Sequence, residues 1–176
     1  MLNIKLIKKI AIASAVALGM FAFGGATQAN ASSPHFDSRK ITYHIDSTSK
    51  NYKGIWQDAI NEWNSKGVLK FKQASKKKAM LRMTTRKTLK DNTLWDAYAP
   101  EMWGNTYSRL TAKLNRSYMD NYSFTRKARV NAATDVIEVG LGLDLNSDKR
   151  SHMSDLNMPI TAYDVAQLRK LYAHVK

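Results

Sequence analysis

Cysteine is absent from the 176-residue chain. That excludes disulfides, thiolate metal sites and thiol nucleophiles. Histidine is scarce as well, with His35, His44, His152 and His174 as the whole supply. No two of them stand one helical turn apart, so a helix carrying paired imidazole ligands for zinc is excluded. Acidic residues are outnumbered, 14 against 28 Lys and Arg. No apolar run reaches the length needed to cross a bilayer as a helix; the longest, Ile10 to Phe23, falls short. Internal repeats are missing, and no nucleic-acid-binding motif accompanies the basic charge.

What is present begins with a leader. Lys5, Lys8 and Lys9 form a positive start, Ile10 to Phe23 an apolar centre, and Ala29-Asn30-Ala31 a small-residue cleavage site. Charged, apolar, small is the order of a cleavable secretory signal. Residues 1–31 are therefore expected to be removed, leaving Ser32 to Lys176 as a single exported domain of 145 residues. Three of the 28 basic residues and no acidic one lie in the leader, so the mature domain carries a formal charge of +11. Outside a cell such a charge favours anionic partners. Without disulfides the domain holds together by burial.

Ser32 to Arg39 reads as a flexible start. Ile41 to Ile45 alternates apolar and polar, which predicts a strand. Ile55, Trp56, Ala59, Ile60 and Trp63 recur at helical spacing and predict a helix over Gly54 to Ser65, closed by Gly67. Val68 to Phe71, Ala79 to Thr84 and Thr111 to Asn115 read as further strands. Leu94 to Tyr107, with Pro100 and Gly104, reads as an aromatic loop. Lys76, Lys77, Lys78, Arg82, Arg86, Lys87 and Lys90 follow one another without an acidic residue. Such a run is either a solvated face or an anion-binding surface. Thr161 and Asp164 have the spacing of a capping box, and Val165, Leu168, Leu171 and Tyr172 give the helix after them an apolar stripe.

The order of these elements resembles the matrixin branch of the metzincin zinc metalloproteases, the small secreted bacterial members above all. The sharpest part of the resemblance runs from Ala133-Thr134 through Tyr172 and contains Asp135-Val136-Ile137-Glu138-Val139-Gly140-Leu141-Gly142-Leu143-Asp144-Leu145, the stretch in the place of the active-site helix. That stretch aligns without a gap with the active-site pattern His-Glu-x-x-His-x-x-Gly-x-x-His. Gly142 takes the place of the turning glycine, and Met153 that of the methionine turn. The resemblance implies an α+β fold: a mostly parallel, twisted sheet of four or five strands with one antiparallel edge strand. Helices are expected at Gly54 to Ser65 and Arg126 to Leu141, with a C-terminal helix from Thr161. It also implies a substrate edge near Gly104 to Arg109, with Trp103, Gly104 and Tyr107 as its candidates and Trp95 as a neighbour.

In that register Asp135, Val139 and Leu145 replace the three zinc ligands and Val136 replaces the general base. Valine and leucine neither hold zinc nor take a proton from its water. No catalytic residue, metal ligand or cofactor is therefore expected; zinc would return only if the register were wrong. Val136, Val139 and Leu145 are expected to fill the former site above Met153. Asp135 then belongs either at a solvent-facing rim or beside a base, since an unpaired buried carboxylate is costly. The chain is thus expected to be an inactive, secreted or wall-associated, monomeric homologue. The alternatives are a binding module for an anionic cell-wall polymer or extended peptide, and an active zinc endopeptidase with an unrecognised ligand set. The alternation of Ile137, Val139, Leu141, Leu143 and Leu145 with polar residues and glycine would by itself suit a strand. The ungapped flanks favour the helix.

Overall fold

A computed structural model of the chain describes residues 33–143 and 149–175. The leader, its expected cut before Ser32, and Leu145 lie outside these residues. The fold is α+β, with two mixed sheets and four α-helices among the described residues. The elements are β1 His35–Phe36, β2 Lys40–Asp46, α1 Lys50–Ser65, β3 Lys70–Gln73, β4 Leu81–Arg86 and β5 Trp95–Tyr98. They continue with β6 Met102–Trp103, β7 Thr106–Tyr107, β8 Leu110–Asn115, α2 Arg116–Asn121, α3 Arg126–Gly140 and α4 Ala162–Leu171.

The main sheet runs β3-β2-β4-β8-β5. Its first four strands are parallel, and β5 pairs antiparallel with β8 at the edge. Strand alternation decides which side faces the core. Ile41, Tyr43, Phe71, Leu81, Met83, Leu110, Ala112 and Leu114 point inward and are buried. Both α1 and α3 pack against the sheet and against each other. From α1 come Ile55, Trp56, Ala59, Ile60 and Trp63, all buried. Each large apolar side chain withdrawn from water in this way stabilises the fold by about 1.5–3 kcal/mol. Trp56 Nε1 donates to Thr85 Oγ1 at 3.1 Å, so its one polar atom is satisfied inside the core.

Helix α1 begins a turn before Gly54. Ser49 caps it by accepting from Tyr52 N–H, and Tyr52 adds an apolar residue to the first turn. Gly67, at φ +68°, closes it in the left-handed region that glycine enters freely. The capping box of α4 is present, with Thr161 and Asp164 exchanging hydrogen bonds.

Three readings need correction. The Leu94 to Tyr107 stretch is not a loop throughout, since β5, β6 and β7 lie in it. Residues 35 and 36 are not part of a flexible start. Phe36 is fully buried, and β1 pairs with β7 in a three-stranded sheet of order β1-β7-β6. His35, expected to be mobile, is buried with its ring edge-on to Tyr172 at 5.3 Å. The short helix α2 had no periodic signal; Asn115 starts it by accepting from Tyr118 N–H at 3.1 Å.

Candidate functional site

Helix α3 carries the stretch that matters for chemistry. Thr125 caps it by accepting from Ala128 N–H, and residues 131–140 are buried without exception. The reason is position: the helix packs against α1 and against β5 and β8 of the sheet, and its polar face is covered by the segment 151–158. Ile137, Glu138, Val139 and Gly140 are helical, so the alternation there does not make a strand. Gly140 sits so close to Leu110 that a Cβ would come within 2.8 Å of its Cδ2. Gly142, at φ +90°, ends the helix, and a Cβ there would come within 2.7 Å of the Pro34 carbonyl oxygen. Only glycine satisfies both demands at 142.

The helix presents Val136, fully buried, and Val139, buried, to the interior. Its polar residues Asn131, Asp135 and Glu138 recur at three- and four-residue spacing and share a face. That face meets the segment 151–158, which returns beneath the helix. The Asn131 amide donates to the carbonyl oxygens of Leu156 and of Met158, the latter at 3.2 Å. His152 is fully buried, with Nε2 2.6 Å from Asp135 Oδ1 and 4.0 Å from Glu138 Oε2. Its Nδ1 lies 2.6 Å from the Met158 carbonyl oxygen. Its backbone N–H donates to Asp164 Oδ2 at 3.0 Å, the carboxylate that also caps α4.

The protonation of this cluster follows from its geometry. A carbonyl oxygen only accepts, so Nδ1 carries a proton towards Met158. Nε2 faces a carboxylate at 2.6 Å, so it carries one as well, and the ring is an imidazolium. The Nε2–Oδ1 contact is a short ion pair whose angle departs from a straight hydrogen bond. Burial pulls the His152 pKa down, but Asp135 first and Glu138 second outweigh it, leaving the ring raised to about 9. Burial raises the Asp135 carboxyl, and His152 partly offsets that. Burial also pushes the Glu138 carboxyl well above the usual range, and its Oε2 has no hydrogen-bond partner among the described residues. The arrangement with least net charge in this dry interior is therefore Asp135 ionised, His152 protonated and Glu138 neutral.

The cluster does not suit zinc. Ligand atoms about 2.1 Å from a tetrahedral zinc stand about 3.4 Å apart, whereas Nε2 and Oδ1 are in contact at 2.6 Å. No group of three or more His, Asp or Glu among the described residues could hold a metal ion. Met153 is half-buried in the short 3-10 turn His152–Ser154. Leu145 lies outside the described residues, so its expected place in the filled site has no structural counterpart here.

The expected substrate edge is distributed differently. Trp103 is 78% exposed in β6, and Gly104 occupies the turn of the β6–β7 hairpin at φ +57°. Tyr107 is not at an edge. It is 2% exposed in the central strand of the small sheet, and its hydroxyl donates to the Gly140 carbonyl oxygen. Trp95 is buried on the inner face of β5. The antiparallel edge of the main sheet is β5 itself, with Tyr98 exposed. His44 is half-buried in β2 with Nδ1 3.1 Å from the Ala74 carbonyl oxygen, and His174 is exposed near the C-terminus. A shallow groove of about 550 Å³ lies away from α3, between Arg39, Lys40, Asn64, Lys70 and Phe71.

The part of the site hardest to read in sequence is Glu138 with His152. Two acids three residues apart in an otherwise apolar helix are the available signal, because buried carboxylates require a partner. Compared with known protein families the chain matches none, and no curated protein sequence matches it.

Proposed function

We propose that this is a secreted, non-catalytic relative of the matrixin-type metallopeptidases, in which a buried ion pair stands where a metal site would be. The observation that supports this reading is the 2.6 Å contact between His152 and Asp135, the residue at the first ligand position of the family register. The imidazolium links α3 to the turn bearing Met153. Val136 and Val139 complete the loss: neither activates water nor donates to a metal. Export is proposed from the leader alone. Among the described residues no helix is long and apolar enough to cross a membrane.

A second reading, recognition of an extended peptide, is favoured by one feature. Strand β5 is an edge strand with Tyr98 exposed, and backbone pairing along it needs no metal. The test of the main reading is a cleavage assay of the mature protein on a mixed peptide library, with and without added zinc. No cleavage is expected under either condition. Zinc-dependent cleavage at any site would overturn the reading.

A further inference from the structure

The side of the main sheet turned away from the helices is built almost entirely from polar and cationic residues. Register places them. Lys40 lies opposite Lys70 and Thr42 opposite Lys72; His44 lies opposite Arg82. Arg82 lies opposite Thr111, Thr84 opposite Lys113 and Arg86 opposite Asn115. All these share one face, because partners in register point to the same side of a sheet and residues two apart do likewise. Neighbouring strands stand about 4.8 Å apart and alternate residues about 6.6 Å apart along a strand, so the face is a close grid of cations. The two acids on it are engaged: Asp96 pairs with Lys113 at 2.7 Å and Asp46 with Lys76. Lys77 and Lys78, in the loop that joins β3 to β4, are exposed and add to the same excess.

Two details set this face apart from a merely solvated one. Lys40 and Lys70 are direct cross-strand partners of like charge, an arrangement that destabilises a sheet. Neither they nor Lys72 has a carboxylate partner among the described residues. Arg82, in the middle of the grid, is half-buried, and its Nε is shielded from solvent without a hydrogen-bond partner. On the helical side two arginines are paired, Arg126 to Asp58 and Arg129 to Asp120.

We infer that the outer face of the β3-β2-β4-β8-β5 sheet is a docking surface for a linear polyanion, a polymer of repeated phosphate or phosphodiester groups. Several cations within one twisted surface match a chain that presents a charge at every repeat, and they gain from each other's counterion release. An anionic membrane fits less well, because of the three large exposed apolar residues only Tyr98 lies on this face, while Met102 and Trp103 lie in the separate β6–β7 hairpin. The inference is independent of the loss of peptidase chemistry and stands whether or not that reading holds.

The test is calorimetric titration of the mature protein with long-chain inorganic polyphosphate, for three proteins. These are the wild type, the face variant K40Q/K72Q/R86Q, and a control, K50Q/K53Q/K127Q, that removes the same charge from exposed helical positions. Circular dichroism melts establish that each is folded. The face variant is expected to bind about tenfold or more weakly, with a reduced salt slope, while the control stays within about twofold. Equal losses in the two variants would mean that net charge alone binds, and would overturn the inference. So would failure of the wild type to bind polyphosphate, including the case where it binds anionic vesicles instead.

Discussion

Two regions of this molecule concentrate charge, and they treat it in opposite ways. Under α3, Asp135, Glu138 and His152 are buried together beside Asp164, and the His152 cation is matched by Asp135 within the fold. On the outer sheet face, Lys40, Lys70 and Lys72 stand side by side in solvent with no acid among the described residues to answer them. In the first arrangement the cation has its counter-ion within the fold, although Glu138 Oε2 has no hydrogen-bond partner among the described residues. The second carries a cost that an anion would relieve. A buried polar cluster is thus a poor guide to where a ligand binds when its cation is already matched within the fold, and an unbalanced surface is a better one.

The largest effect expected from breaking this contrast is on stability. Asp135→Ala leaves the His152 imidazolium buried without its partner and should destabilise the fold by about 3–5 kcal/mol in denaturant unfolding. Lys72→Ala, on the face, should change it by less than about 0.5 kcal/mol. Equal effects would remove the distinction between the regions.

The next effect is the dependence of stability on pH. His152 has a folded pKa of about 9, above its ordinary 6.5. It therefore contributes stability that is fully present below pH 6.5 and is lost as pH rises through 9. Two and a half units correspond to about 3 kcal/mol at most. Asp135 and Glu138 are also raised and also bind protons more tightly when folded, so they act in the same direction at lower pH. Thermal melts from neutral pH to above 9 should show a steady fall that Asp135→Asn largely abolishes. A flat profile would mean that the imidazole is neutral.

The parallel strands of the main sheet and helices α1 and α4 were legible because each repeats a pattern over several residues, whereas α3 was expected only from the ungapped resemblance, its own alternation suiting a strand. Ile41 to Ile45 shows period two, and Ile55 to Trp63 shows helical spacing. The capping box at Thr161 and Asp164 is a purely local signal and is found where the sequence puts it. Strands β1, β6 and β7 have two residues each, too few to carry a period, and they exist only because β1 and β7 meet across some 70 residues of chain. Tyr107 looked like a cleft residue for the same reason: its partner, the Gly140 carbonyl, is set by tertiary packing. At the candidate site the burial of Val136 and Val139 was expected from the resemblance and is found. The base beside Asp135 could not be identified, because His152 reaches it through a return of the chain that no local pattern announces.

The most direct measurement is the protonation of the His152 ring nitrogens, read from their NMR chemical shifts as pH is raised. The geometry predicts that both nitrogens stay protonated through neutral pH and that the ring loses its proton only near 9. A ring that titrates close to 6.5, or holds a single proton at neutral pH, would contradict the buried ion pair and leave the site under α3 open to other chemistry.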